Sequence, residues 1–153
     1  MFLARQFCTF VLDGDLFGTP VGNVQEVIQH QPMTPVPLAP HSVRGMINLR
    51  GQIVLAVDLR RRLGLPDFAS GQLPMNVVVN TNEGSVSLLV DDIGDVLEVD
   101  ERTVEKPPET LHGFARQVVR GVYKLPGRLL LELAIDRVTD LQDFNRPKDE
   151  TSF

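Results

Sequence analysis

Apolar residues along this chain fall in short runs broken at close intervals by glycine, proline or paired polar residues, the spacing of β-strands and hairpins rather than of long helices. Gln6 to Leu12 is the first run, Asp13-Gly14 is a tight turn, and Leu16-Phe17 begins the return strand. Val24 to Ile28 carries apolar residues on both faces, and Pro32, Pro35, Pro37 and Pro40 follow in a stretch that cannot hold regular structure, at best an ordered loop. Met46 to Leu49 and Ile53 to Val57 form a second hairpin across Arg50-Gly51-Gln52, where Gly51 permits a positive φ. Asp58 fits a helix N-cap, with Arg60, Arg61 and Arg62 near the helix's negative end and Gly64 and Pro66 as stop signals. Met75 to Asn80 is joined to Val86–Val90 across Asn82-Glu83-Gly84, and Val86–Val90 to Val96–Val99 across the polar turn Asp91-Asp92. Val118 to Tyr123 and Arg128 to Leu133 flank Leu125-Pro126-Gly127, in which proline and glycine suit the two central positions of a type II turn. Ile135, Val138 and Leu141 place a short helix over Ala134 to Phe144. Many short strands and few helices predict a mainly β fold, a sandwich or small barrels, and no internal sequence repeat is evident.

Composition narrows the function. With 153 residues the chain fits one compact domain, expected over residues 1–145 with a flexible tail at 146–153. No apolar run reaches the roughly 18–20 residues that span a bilayer, and the single Cys8 rules out an internal disulfide, so a reducing cytoplasm is the expected location. A net charge of −5 argues against nucleic acid as the main partner. The charge is uneven: five arginines oppose Asp58 within residues 41–64, and nine acids oppose Arg102 and Lys106 within residues 83–109. Such a dipole orients protein partners at encounter, and two solvated loops of opposite sign read equally well.

Chemistry is harder to find. Nucleophilic catalysis needs a hydroxyl or thiol beside a base, and no Gly-x-Ser-x-Gly elbow is present. His30, His41 and His112 lie in no catalytic motif and read as loop residues. No His-Glu-x-x-His or EF-hand spacing supports a metal site, and Asp91, Asp92 and Asp95 read as a turn. Gly14, Gly18 and Gly22 form no nucleotide-binding fingerprint and read as turn residues, while Cys8 reads as a buried small hydrophobe. Neither enzyme activity nor a cofactor is expected.

The stretch Val43-Arg44-Gly45-Met46-Ile47-Asn48-Leu49-Arg50-Gly51-Gln52, followed by an apolar strand and Asp58-Leu59-Arg60, resembles the central motif of the CheW-like coupling proteins of bacterial chemotaxis. Val24-Gln25-Glu26-Val27, the acidic turn Val90 to Leu97 and the final strand Arg128 to Leu133 are similar to other segments of that family, so the resemblance spans residues 5–141. Leu55 departs from the pattern, since many members carry proline there. The resemblance implies two small five-stranded, SH3-like β-barrels around a common hydrophobic core. It further implies a non-catalytic adaptor that couples methyl-accepting chemoreceptors to the regulatory domain of a CheA-type histidine kinase, monomeric alone and recruited to membrane-associated arrays.

By that resemblance Val24, Glu26 and Arg50 are receptor-side candidates, Glu26 and Arg50 pairing across two strands to hold a groove's shape. Gly45, Asn48, Leu49, Gly51 and Asp58 are the motif's structural positions, the glycines serving close strand approach or a tight turn. Met75, Val77 and Val86 are kinase-side candidates, with a core role equally open to each. The same motifs serve an adaptor of a twitching-motility or other chemosensory array. From another class, a small ligand-binding barrel would need a deep pocket with convergent polar groups.

Overall fold

The computed structural model describes residues 1–140. Ten strands run in chain order as β1 (Ala4–Leu12), β2 (Asp15–Pro20), β3 (Val24–Ile28), β4 (Val43–Leu49), β5 (Gln52–Asp58), β6 (Met75–Thr81), β7 (Gly84–Val90), β8 (Asp92–Asp100), β9 (Val119–Leu125) and β10 (Arg128–Leu133). Among the described residues there are also three short α-helices, α1 (Leu59–Arg62), α2 (Gly113–Val118) and α3 (Ile135–Val138), and two 3-10 turns at Val21–Asn23 and Glu101–Thr103. The strands form two five-stranded sheets, one in the order β8-β1-β2-β10-β9 and the other β3-β6-β7-β5-β4. Each curls into a small barrel, here called barrel A and barrel B respectively. The proposed fold class therefore holds. The helix read at Ala134 to Phe144 is present as α3, and its residues beyond 140, like the tail at 146–153, lie outside the described residues.

The absence of an internal repeat is overturned. In each barrel an antiparallel hairpin (β1–β2 or β6–β7) lies parallel to the second strand of another hairpin (β9–β10 or β4–β5), with one further strand (β8 or β3) on the outer edge. Superposing these orders aligns Val43-Arg44-Gly45 with Val119-Arg120-Gly121, and Leu49-Arg50-Gly51 with Leu125-Pro126-Gly127. It likewise aligns Val24-Gln25-Glu26-Val27-Ile28 with Ile93-Gly94-Asp95-Val96-Leu97, each strand bulged at the same place. The two copies are circularly permuted: barrel B, strands β3 to β7, is inserted between β2 and β8 of barrel A. Permutation hides the repeat in a linear reading, because the first-half and second-half hairpins have exchanged order.

One pairing expectation also fails. β7 and β8 are not a hairpin; at Asp91 the chain leaves barrel B, and β8 pairs with β1 of barrel A. Asp91 is the pivot of that crossover. Its carboxylate accepts a bidentate pair from Arg60 of α1, at 2.7 and 2.6 Å, and a bond from the Asp13 amide in the β1–β2 turn. The two oppositely charged stretches are therefore not simply solvated loops. Arg60 joins them, Arg44 pairs with buried Asp58, and Arg62 is buried, donating to the carbonyls of Val138 and Arg137 while stacking on Phe114.

Burial raises the Asp91 carboxyl's pKa, but the Arg60 and Asp13 hydrogen bonds outweigh it, leaving the group below its ordinary range. At Asp100 the Arg102 guanidinium holds the carboxyl down at about 2. Both groups are more acidic in the folded than in the unfolded chain, so their stabilisation is complete above the ordinary carboxyl pKa and is lost as pH falls from about 4 toward 2. Urea midpoints measured from pH 6 to pH 2 should drop across that window, and Asp91→Asn should flatten the drop while lowering the midpoint at pH 6.

Apolar burial is arranged in three clusters. The central one takes Phe10, Phe17, Leu131 and Leu133 from barrel A and Val57, Val77, Val79, Leu88 and Val90 from barrel B, so the barrels share a core. Phe7, Leu16, Tyr123 and Leu130 fill the interior of barrel A, and Ile47, Leu49, Val54 and Val78 that of barrel B. Side chains thus occupy both interiors, which removes the deep pocket that a ligand-binding barrel needs. Gly18 is a buried strand residue of β2, packed 3.0 Å from Leu130 as a Cβ would see it, and not a turn residue. Cys8 is half-buried rather than fully so, and burial pushes its thiol pKa up, away from reactivity. Helix α2 had no signal in the pattern because Gly113 opens it and no side chain caps it.

Candidate functional site

Each barrel is closed on one side by a strap. In barrel B the proline-rich segment crosses to β4, where Thr34 and Met46 exchange backbone bonds of 2.9 and 2.8 Å; in barrel A, Glu105 and Val122 do the same on β9. Elsewhere on each barrel the start of the bulged strand and the hairpin turn (β3 with the β4–β5 turn, β8 with the β9–β10 turn) occupy equivalent positions, here called the mouth.

At the barrel B mouth the turn Arg50-Gly51 joins β4 to β5 with φ of 52° and 86°, the two left-handed residues of a type I′ turn. Asn48 steadies it, its Oδ1 accepting from the Gly51 amide at 2.8 Å, and Leu49 is buried below. The turn aims Arg50 across the gap, where Nη2 donates to Glu26 Oε2 of β3 at 2.7 Å. That hydrogen bond raises the guanidinium's pKa above its ordinary value. The other carboxylate oxygen, Glu26 Oε1, is buried without a hydrogen-bond partner among the described residues. Val24 is half-buried on the same strand, and Val27 of β3 and Ile53 of β5 are exposed. Of the three receptor-side residues, Glu26 and Arg50 are thus brought together, whereas Val24, across the bulge, pairs with Val79 and packs against the shared core.

The motif's other positions support this mouth from behind. A Cβ on Gly45 would lie 2.7 Å from the Thr34 carbonyl oxygen, so glycine lets the strap reach β4. Asp58 is buried, caps α1 by accepting from the Arg61 amide at 3.0 Å, and binds Arg44 at 3.2 Å. The kinase-side candidates fare differently. Val77 is 1% exposed and belongs to the shared core, so it offers no surface to a partner. Met75 and Val86 are half-buried and pack against that same core. Exposed apolar surface lies instead at Ile53, Val96 and Leu129, and alternation in strands buried on both faces could not have separated these from the core. The repeat would have found two of them, since Leu129 occupies the place of Ile53 and Val96 that of Val27.

Among the described residues no cluster of His, Cys, Asp or Glu is arranged to hold a metal ion, and no helix is long and apolar enough to cross a membrane. What the surface offers is exposed apolar side chains, Val27 and Ile53 among them, and the Arg50–Glu26 ion pair, groups suited to protein recognition. Fold and site together define a β-barrel interaction module. The chain belongs to the CheW-like domain family, whose model matches residues 6–143. It is 32% identical to the chemotaxis protein CheW of Rhizobium meliloti, over 88% of this chain and 86% of that one. It is also 32% identical to the chemotaxis protein CheW of Thermotoga maritima, over 86% and 85% respectively. The crystal structure of the scaffolding protein TtCheW from Thermoanaerobacter tengcongensis shares the fold with a TM-score of 0.80 at 24% identity, over 90% of this chain and 94% of that one.

Proposed function

We propose that this protein is a non-catalytic adaptor of bacterial chemotaxis, working in the cytoplasm at receptor arrays, where it couples chemoreceptors to a CheA-type histidine kinase. Membership of the CheW-like family and the names of its chemotaxis relatives support the pathway. The observation that carries the receptor side is Arg50. A two-residue turn of this type favours Asn-Gly, yet an arginine accepts the left-handed conformation, its side chain 71% exposed and tethered by Glu26. Receptor tips, as helical hairpins, would lay apolar side chains against Val24, Val27 and Ile53, beside the exposed Arg50 guanidinium.

A substitution can separate this role from stability. Arg50→Asn restores the favoured turn sequence, so the unfolding midpoint should stay equal or rise, while affinity for a receptor hairpin fragment, measured by titration calorimetry, should fall about tenfold. An unchanged affinity would remove Arg50 from the receptor face, and a collapsed midpoint would make it a structural residue.

A further inference from the structure

Most arginines of this chain are neutralised where they stand: Arg5, Arg44, Arg50, Arg60, Arg61 and Arg102 each pair with a carboxylate. Three others depart from that pattern and share one place. Arg116 of α2, Arg120 of β9 and Arg137 of α3 line a cleft of about 330 Å³, and no carboxylate stands on its walls. Two of these guanidiniums are oriented by carbonyls instead of acids. Arg116 Nη1 donates to the carbonyls of Pro108 and Leu111 at 2.8 and 3.4 Å, and Arg137 Nη1 to that of Gln117 at 2.8 Å. Each therefore keeps its full charge and most of its five N–H donors. The Arg120 side chain is exposed and makes no hydrogen bond or ion pair with a described residue. Glu132 and Asp136 border the adjoining cleft, which Arg120 also lines, but Glu132 is taken by Arg5 and Asp136 makes no ion pair. A chain of net charge −5 thus gathers three uncompensated cations around one space.

Like charges held together repel, and an anion between them removes that cost. The shape of the site selects the anion. A carboxylate is planar and offers two oxygens along one edge, enough for a single guanidinium fork, whereas a phosphoryl group presents oxygens in three directions at once, as donors from three separate elements require. We infer that this cleft is a phosphoryl-binding site, which takes inorganic phosphate, pyrophosphate or the terminal phosphates of a nucleotide. Bound there, the ligand ties α2, β9 and α3 together and, through the carbonyls that Arg116 holds, steadies the loop at Pro108 and Leu111. The site uses no residue of the barrel B mouth and is independent of the adaptor reading.

The test titrates the full chain with phosphate, pyrophosphate and ATP by calorimetry at low ionic strength, with acetate as the monovalent control. Pyrophosphate should saturate one site and acetate none. No gain from ATP over pyrophosphate marks a free anion as the ligand, and at least tenfold tighter binding of ATP marks a nucleotide. Arg120→Ser removes an unpartnered side chain, so the unfolding midpoint without ligand should be unchanged while binding weakens at least tenfold. Arg128→Ser, which removes an exposed arginine elsewhere on barrel A, should leave binding within twofold. Failure of all three probes to saturate overturns the inference, as does equal weakening by the two variants, which reports net charge alone. Hydrogen exchange of the parent chain supplies a readout that needs no variant: pyrophosphate should slow the amides of α2 and α3, and protection confined to other elements overturns the assignment.

Discussion

Replacing Gly45 by alanine should destabilise the protein by about 2–3 kcal/mol, while the same change at its repeat counterpart Gly121 should cost less than about 1 kcal/mol. Both glycines underlie a strap, yet they face different neighbours. A Cβ at Gly45 would meet the Thr34 carbonyl oxygen at 2.7 Å and its carbon at 3.1 Å, which are backbone atoms pinned by two hydrogen bonds to Met46. A Cβ at Gly121 would meet a methyl of Val104, which is half-exposed and free to turn. In one case the strap must lift off β4; in the other a side chain changes rotamer. Urea unfolding should place the Gly45→Ala midpoint about 1 M below the parent and the Gly121→Ala midpoint close to it. Equal shifts would mean that alanine is resisted for its backbone conformation and not by the strap.

Arg5→Ala should cost about 2–3 kcal/mol, a large loss for a side chain on the first strand. Arg5 makes a bidentate pair with Glu132, at 3.0 and 3.1 Å, and donates to the Tyr123 hydroxyl while lying over the Phe7 ring. Glu132 is only 1% exposed on β10, so removal of the arginine leaves a carboxylate buried against Tyr123 and Leu130 without its counter-ion. The full penalty for a deeply buried pair is about 3–5 kcal/mol, and the partial exposure of Arg5 lets water recover some of it. Pairing Arg5→Met with Glu132→Leu should restore more than half of the loss, because the double variant contains no stranded charge. A double-mutant cycle read by denaturant unfolding checks this, and additive single effects would show that the two side chains act independently.

Much of the fold was legible because its signals are local. Asp13-Gly14, Arg50-Gly51 and Pro126-Gly127 each specify a turn through their φ requirements, and the flanking strands follow. Asp58 announced α1 by the same logic, since capping depends on residues three apart in the chain. Partner choice between strands is non-local, and there the reading failed: nothing in Asp91-Asp92 distinguishes a hairpin from a crossover into another barrel. The distinction lies with Arg60, a residue of another element, which captures Asp91. At the site, Glu26 and Arg50 came together as the motif suggested, because a short turn and a bulged strand leave them facing each other. Val77 could not be sorted from the surface, since strands packed between two cores are apolar on both faces. Asp95 and Val96 were passed over as a polar turn and a strand, their counterpart relation to Glu26 and Val27 visible only once the permuted order of strands is known.

That order has a consequence for synthesis on the ribosome. Barrel B is contiguous, so all five of its strands are available once residue 90 has emerged, and its hairpins can close on near neighbours. Barrel A must wait: β1 and β2 meet β10 only after residue 133, and the Arg5–Glu132 pair closes a loop of |i−j| = 127. Until then Phe7, Phe10 and Phe17 have neither their own barrel nor a completed shared core to enter. The nascent hairpin β1–β2 is therefore the segment of this protein most in need of shelter by a chaperone, and barrel B the platform on which it first finds partners.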